Sequence, residues 1–279
     1  MSKRSYAATV LALVIAGTVV IVWQRDMTPR GTVGTLYAAA AKPAKQPSSA
    51  AKQSPAEIAI RASAARRRYV FVTFYKKQDT SSTKMLAAIR SARGKLSNRA
   101  NFVSVDVGSA ANQALVKRYD VDRAPLPLTL VLAPNGALTA AFPREIETSD
   151  FSDVFVSEGL ADVLKVVQSG KLAAVCLQNG KTKFNKESLA AAEGLRADSR
   201  LSGRVGIVKI DPSDRAELKF LQQCKVNNGS ADSQIVLIVP PGRVLGAFDG
   251  NTTKDKLMAG LQAALASCGS GCGPSGCGP

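Results

Sequence analysis

Two stretches of this chain, about 105 residues apart, present the same succession of apolar and polar runs, and that duplication constrains the fold more than any other feature. In the first stretch the β-branched and aromatic run Tyr69–Tyr75 (YVFVTFY) predicts a buried strand. A helix follows over Thr83–Ser97, with Met85, Leu86 and Ile89 on one face, then a strand over Phe102–Val107 and a helix over Ser109–Tyr119. Strands over Leu128–Leu132 and Ala137–Phe142 flank Asn135-Gly136, a strong hairpin signal, and a helix over Phe155–Ser169 closes the unit. The second stretch repeats the order: strand Leu172–Leu177, helix Lys186–Asp198, strand Val205–Ile210, helix Pro212–Gln223, strands Ile235–Val239 and Val244–Phe248 around Pro240-Pro241-Gly242, helix Thr252–Ala266. Spacing agrees as well: Asp106 lies 15 residues before Val121 as Asp211 does before Val226, and Gly136 precedes Phe142 by six as Gly242 precedes Phe248. Each unit therefore reads as parallel strands joined by crossovers, an antiparallel hairpin and a covering helix, a central mixed sheet flanked by helices.

That layout, together with particular residues, resembles the thioredoxin superfamily over roughly residues 56–267. FVTFYKKQDTSSTKML looks like the family's strand, active-site loop and helix start, with Lys84-Met85-Leu86 matching the segment after the second catalytic cysteine. In that register the two cysteine positions fall on Thr80 and Thr83, with Ser81 and Ser82 between them. RAPLPLTLVLAPNGAL resembles the family's cis-proline loop, strand and hairpin; Pro127 matches the cis-proline, with Pro125 the alternative. In redox members that proline shapes a groove for extended peptides beside the dithiol, so the resemblance implies that the fold, and with it a binding groove, outlasts the chemistry. The second half departs further: LQNGKTKFNKES has no CxxC and NNGSADSQIVLIV has no proline before its strand. Thiol–disulfide exchange needs a thiolate of lowered pKa at a helix N-terminus and a second, resolving thiol. The hydroxyls of Thr80, Ser81, Ser82 and Thr83 supply neither and are suited to capping a helix.

The absence of histidine removes Ser-His-Asp and Cys-His catalysis and His-ligated zinc within the chain. Lys and Arg number 37 against 21 Asp and Glu, a formal charge of +16 that favours anionic neighbours such as an anionic membrane surface. Part of the excess sits in Lys3, Arg4, Lys42, Lys45 and Lys52, and part in the run Arg66-Arg67-Arg68. Basic stripes interleaved with aromatics are absent, so no nucleic-acid partner is expected. The acidic connector with Glu145, Glu147, Asp150, Asp153 and Glu158 lacks the ligand order and turn glycine of a calcium loop and reads as solvated.

Lys3 and Arg4 precede the uncharged run Tyr6–Trp23, about 17–18 residues long, at the lower edge of a spanning helix and with an interfacial aromatic at its far end. Residues 1–24 are expected to be a transmembrane anchor; a signal sequence cleaved near Ala38-Ala39-Ala40 is the alternative, and both place the body outside the cytoplasm, in the periplasm or on the extracellular side. Residues 25–55, rich in Ala, Pro, Lys and Ser, read as a flexible tether whose lysines suit anionic headgroups.

Five cysteines are present. Cys176 falls inside a strand and Cys224 at a helix end; they are either a disulfide pair or two independent buried thiols. The remaining three, Cys268, Cys272 and Cys277, sit in SCGSGCGPSGCGP, a Gly/Cys-rich tail over 268–279 whose spacing is not that of a zinc ribbon. Static disulfides, disulfide exchange, or capture of soft Cu(I) or Zn(II) are the three chemistries open to it. The sequence thus describes an N-terminal anchor, a linker, thioredoxin-like domains over 56–169 and 170–267, and the tail. Its expected role is that of a non-catalytic binding or scaffold protein of the cell envelope, needing no cofactor and acting on an envelope protein or peptide. The alternative is a thiol–disulfide oxidoreductase or soft-metal binder working through the tail.

Overall fold

The computed structural model describes residues 13–15, 18–20, 53–77, 79–143, 153–227 and 229–266. Within the apolar leader two three-residue strands, β1 (Leu13–Ile15) and β2 (Thr18–Val20), pair antiparallel. No transmembrane helix is shown: the rest of Tyr6–Trp23 lies outside the described residues, and no described helix is long and apolar enough to cross a membrane. The β-branched residues Val14, Ile15, Thr18, Val19 and Val20 favour the extended form found there.

The first domain opens on a helix absent from the sequence reading, α1 (Pro55–Ala65). Its signal is short: Ser54 Oγ accepts from the Glu57 amide at 3.2 Å, the Ser54 amide donates to Glu57 Oε2 at 3.1 Å, and Pro55 fills the first turn. Strand β3 (Tyr69–Tyr75) runs parallel to β4 (Ala100–Asp106) and antiparallel to β5 (Leu128–Leu132), which pairs with β6 (Leu138–Phe142), giving the order β4-β3-β5-β6. Between them lie α2 (Thr80–Leu96) and α3 (Gln113–Arg118). α1 and α3 cover one face, where Ala56, Leu115 and Val116 meet Val70, Val72 and Phe74; α2 covers the other, setting Met85, Ile89 and Ala92 on Phe71 and Val131. Phe71 and Phe74 are fully buried, each worth about 1.5–3 kcal/mol of transfer free energy.

The second domain reproduces the pattern with α4 (Glu158–Gln168), β7 (Leu172–Leu177), α5 (Asn185–Ala197), β8 (Val205–Ile210), α6 (Leu218–Gln223), β9 (Gln234–Val239), β10 (Arg243–Asp249) and α7 (Lys254–Ala266), in the strand order β8-β7-β9-β10. Even local backbone is repeated: Asp120 after α3 and Lys225 after α6 are both left-handed, with φ of 50° and 55°. The helices expected over 109–119 and 212–223 each begin as a 3-10 turn and become α-helical only over six residues.

Helix α4 differs most from expectation. Read from sequence as the closing helix of the first unit, it instead covers the face of the second sheet, holding there the place that α1 holds on the first. Leu160, Val163, Leu164 and Val167 pack on Ala173, Val175, Leu177 and Val208. Periodicity reveals an apolar stripe but not which sheet the stripe will cover. Phe155 and Val156, expected in its first turn, are instead pinned to the first domain. Tyr69 Oη donates to the Val156 carbonyl at 2.7 Å and accepts from its amide at 3.0 Å, and Phe155 sits edge-on to Tyr69 with the Arg99 guanidinium 4.0 Å above its ring. The start of α4 is fixed from the other side by Glu217, whose buried carboxylate accepts from Ser157 Oγ at 2.6 Å and from the Gly159 amide at 2.8 Å. A Cβ on Gly159 would lie 2.7 Å from Glu217 Oε1 and 2.8 Å from Ile210 Cγ1 and Cδ1. Gly159→Ala is therefore expected to destabilise the protein by ~1–3 kcal/mol despite the better helix propensity of alanine. A lowered urea midpoint with unchanged slope checks this; an unchanged or raised midpoint would show that the α4–Glu217 junction relaxes freely.

Candidate functional site

The loop matched to the thioredoxin active site follows β3 and opens α2. Asp79 caps the helix, its carboxylate accepting from the Ser82 amide at 2.7 Å, and hydrogen bonds from Ser82 hold its pKa below the ordinary carboxylate range. The helix consequently begins at Thr80, three residues earlier than the apolar spacing predicts. Ser82 is buried, with its Oγ 3.4 Å from the Lys76 amide, and Thr83 Oγ1 donates to the Asp79 carbonyl at 3.1 Å. Thr80, Ser81 and Thr83 are exposed. Lys77 pairs with Asp106 at 3.2 Å beside this loop. The Leu126–Pro127 peptide is cis, and Pro127 immediately precedes β5, where Leu128 lies opposite Phe74. Topology thus brings Thr80–Thr83 and Pro127 to the same end of the sheet, the end at which β3 finishes. With hydroxyls in place of thiols, this arrangement caps a helix and offers no group able to accept or release electrons.

In the second domain the corresponding loop is closed on itself. Asn185 Nδ2 donates to the Asn179 carbonyl at 2.7 Å, Thr182 Oγ1 donates to Asn185 Oδ1 at 2.6 Å, and Asn179 Nδ2 reaches Asp211 Oδ1 at 2.8 Å. The segment that in the first domain carries the cis-proline here bonds straight to the loop, Lys183 N donating to Ala231 O and Ser233 N to Lys183 O, each at 2.9 Å. Phe184, at φ 59°, is held left-handed by these contacts.

Cys176 and Cys224 are free thiols. They sit in different cores, Cys176 under α5 and α7 and Cys224 beside α4 and α6, on opposite faces of the second sheet, which removes the disulfide alternative. Burial raises Cys176 to about 11 and Cys224 to about 12. Cys268, Cys272 and Cys277 lie outside the described residues, as do Glu145, Glu147 and Asp150; Asp153 pairs with Lys219 at 3.1 Å and Glu158 with Arg67 at 2.6 Å. Among the described residues no group of three or more His, Cys, Asp or Glu could hold a metal ion.

A feature invisible in the sequence is an apolar cavity of about 110 Å³ between α4, α6 and the β9–β10 hairpin. Leu160, Leu164, Phe220 and Cys224 wall it, Gln223 is its polar group, and Val244, 38% exposed, stands at its mouth. The first domain supplies an internal comparison, because residues equivalent by position within α1 and α3 are Glu57 for Leu160, Arg61 for Leu164, Arg118 for Gln223 and Tyr119 for Cys224. There Arg118 pairs with Glu57 at 3.7 Å and the half-buried Tyr119 ring packs toward Phe74 at 6.0 Å. The same position in the fold is charged in one copy and apolar in the other.

Each half has the thioredoxin-like fold: a parallel β–α–β unit, an antiparallel hairpin and helices on both faces, in the order β4-β3-β5-β6 and its repeat. No family model matches the sequence, and no curated protein matches it. Among solved structures, the germline-specific thioredoxin Deadhead of Drosophila melanogaster shows 24% identity over 35% of this chain and 88% of its own, with a TM-score of 0.30. The first two thioredoxin domains of Saccharomyces cerevisiae Eps1p show 12% identity over 79% of this chain and 99% of theirs, at 0.27. Zinc-bound human ERp44 shows 12% over 75% of this chain and 60% of its own, at 0.30. The fold assignment rests on the strand order and register rather than on these scores.

The thiols give a direct check. At about pH 8 roughly one Cys176 side chain in a thousand and one Cys224 in ten thousand is thiolate. Iodoacetamide followed by peptide mapping should leave both unmodified in the native protein and label both in strong denaturant. Rapid native labelling of Cys224 would mean that the cavity wall opens to solvent. Because both values are raised, the stability these thiols contribute is complete below the ordinary thiol range and is lost as pH climbs through about 11 to 12.

Proposed function

We propose that this protein is a non-catalytic thioredoxin-like binding protein of the cell envelope, held to the membrane by Tyr6–Trp23, whose second domain receives an apolar side chain of an extended polypeptide. The cavity between α4, α6 and the β9–β10 hairpin carries the reading. At about 110 Å³ it is well below the roughly 300–1,000 Å³ of sites that enclose cofactors and drug-sized ligands, and its aliphatic walls suit one branched or aromatic side chain. Its opening beside an exposed strand residue, Val244, supports an extended partner. The hydroxyl loop Thr80–Thr83 supports the absence of catalysis, since it has no thiolate and no resolving thiol. The second reading rests on three thiols spaced C-x3-C-x4-C in a Gly-rich tail: disulfide exchange or soft-metal capture by Cys268, Cys272 and Cys277.

Binding of reduced, carboxymethylated α-lactalbumin to the full-length protein tests the first reading. Val244→Asp, at an exposed position that leaves the core intact, should weaken binding about tenfold, ~1.4 kcal/mol, with little change in Tm. Unchanged affinity, or no binding by the wild type, overturns it. Insulin-disulfide reduction tests the second. Turnover that survives Cys268, Cys272 and Cys277→Ser replacement would refute a non-catalytic body, and turnover abolished by it would move the chemistry to the tail.

A further inference from the structure

The two domains finish the same end of their sheets with opposite electrostatics. Strands β3 and β4 start side by side, Tyr69 opposite Ala100, and α1 and α2 each end just before them. That end of the first domain gathers Arg66, Arg67 and Arg68 after α1, Arg90, Arg93 and Lys95 from the C-terminal half of α2, and Arg99. The carboxylates of residues 53–143 lie elsewhere: Glu57 in the first turn of α1, Asp79 capping α2, Asp106 at the far end of β4, and Asp120 and Asp122 beyond α3. Among the described residues Arg67 pairs with Glu158, whereas Arg66, Arg90, Arg93 and Lys95 form no ion pair. In the second domain three of the cations at the matching end are answered, Arg196 by Glu193, Arg200 by Asp198 at 2.9 Å and Lys254 by Asp198 at 3.5 Å, while Lys171 and Arg204 form no ion pair among the described residues. Helix dipoles favour cations at these termini in both copies, so the dipole does not account for the difference. Overall charge differs in the same sense: residues 53–143 hold fourteen Lys and Arg against five Asp and Glu, residues 153–266 fifteen against twelve, so the first domain has few carboxylates with which to answer its cations.

We propose that this arginine-rich end of the first domain docks on an anionic lipid surface through headgroup phosphates. Six of its seven cations are arginines, whose planar fork takes phosphate oxygens in pairs where lysine offers a point charge. Lipid is favoured over nucleic acid by two observations. Among the described residues the exposed large apolar side chains, Ile58, Phe184 and Val244, all lie away from this end, which offers no exposed aromatic platform for stacking bases. The same chain carries, ahead of this domain, the apolar run Tyr6–Trp23 that the proposed function takes as the membrane anchor. The inference does not depend on the cavity of the second domain.

Arginine footprinting with phenylglyoxal, read by peptide mass mapping, tests it on the full chain mixed with phosphatidylcholine vesicles or with vesicles holding roughly 30% phosphatidylglycerol. On the anionic vesicles Arg66, Arg90 and Arg93 should react at least about threefold more slowly than on the neutral ones, with Arg215 unchanged, and the protection should vanish near about 0.5 M salt. The Arg90→Gln, Arg93→Gln, Lys95→Gln variant should lose the protection at Arg66. Equal rates on the two vesicles overturn the proposal, as does protection by duplex DNA without protection by anionic vesicles.

Discussion

Helix α4 is the piece on which the relation of the two domains depends. Its apolar stripe belongs to the second core, yet its outer side is tied to the first domain's hairpin. Gln168 exchanges two hydrogen bonds with the Leu138 backbone at 2.6 and 2.9 Å, Asn135 reaches Asp162 at 2.8 Å, and Ala133 and Ala137 are buried in the same cluster. Glu217 anchors its start by accepting from the Ser157 hydroxyl and the Gly159 amide, where a negative charge also meets the helix dipole favourably. The Tyr69–Val156 pair of bonds then fixes the segment that leads into it. A linkage of this kind makes the two thioredoxin-like units one body through a shared helix rather than beads on a string, and it explains why a glycine is needed at 159, where a methyl group has no room.

Duplication lets one copy interpret the other. Where two positions share a place in the fold but differ in chemistry, the fold itself does not require either choice. The cavity of the second domain and the charged cluster of Glu57, Arg61 and Arg118 in the first occupy one such place. The unanswered arginines of the first domain and the paired ones of the second occupy another. In both cases one copy takes the arrangement that satisfies itself internally and the other does not: apolar walls stay open in one domain, cations stay unpaired in the other.

Much of this was legible in the residues. Strand Tyr69–Tyr75 lies where its β-branched and aromatic run puts it, and the two units repeat one element order as their spacing implies, because strand burial is written in local composition. Helix α1 was missed because its capping box, Ser54 to Glu57, directly follows a tract of Ala, Pro, Lys and Ser that reads as linker. Helix α4 was visible, but its partner sheet was not, since a stripe of Leu160, Leu164 and Val167 fits either neighbour until the chain is folded. The cavity had no sequence signal at all. Its walls come from α4, α6 and a hairpin separated by tens of residues, and each residue alone looks like ordinary core.

The hydroxyl loop is the physical reason for proposing binding rather than thiol chemistry in the first domain. A catalytic thiolate at a helix N-terminus is held ionised by the helix's free amides, which then face the substrate. In this chain the Asp79 carboxylate takes the Ser82 amide for itself, and the Ser82 side chain is turned inward beside the Lys76 amide. The first turn of α2 is thus closed by its own residues, and its donors serve the helix instead of a sulfur atom. Restoring cysteine at Thr80 and Thr83 alone would leave that carboxylate in place, where its charge disfavours a second anion nearby. At this loop thiol chemistry is thus opposed by the cap as well as by the missing thiols, and the surfaces proposed to act are the flank of the second domain and the cationic end of the first.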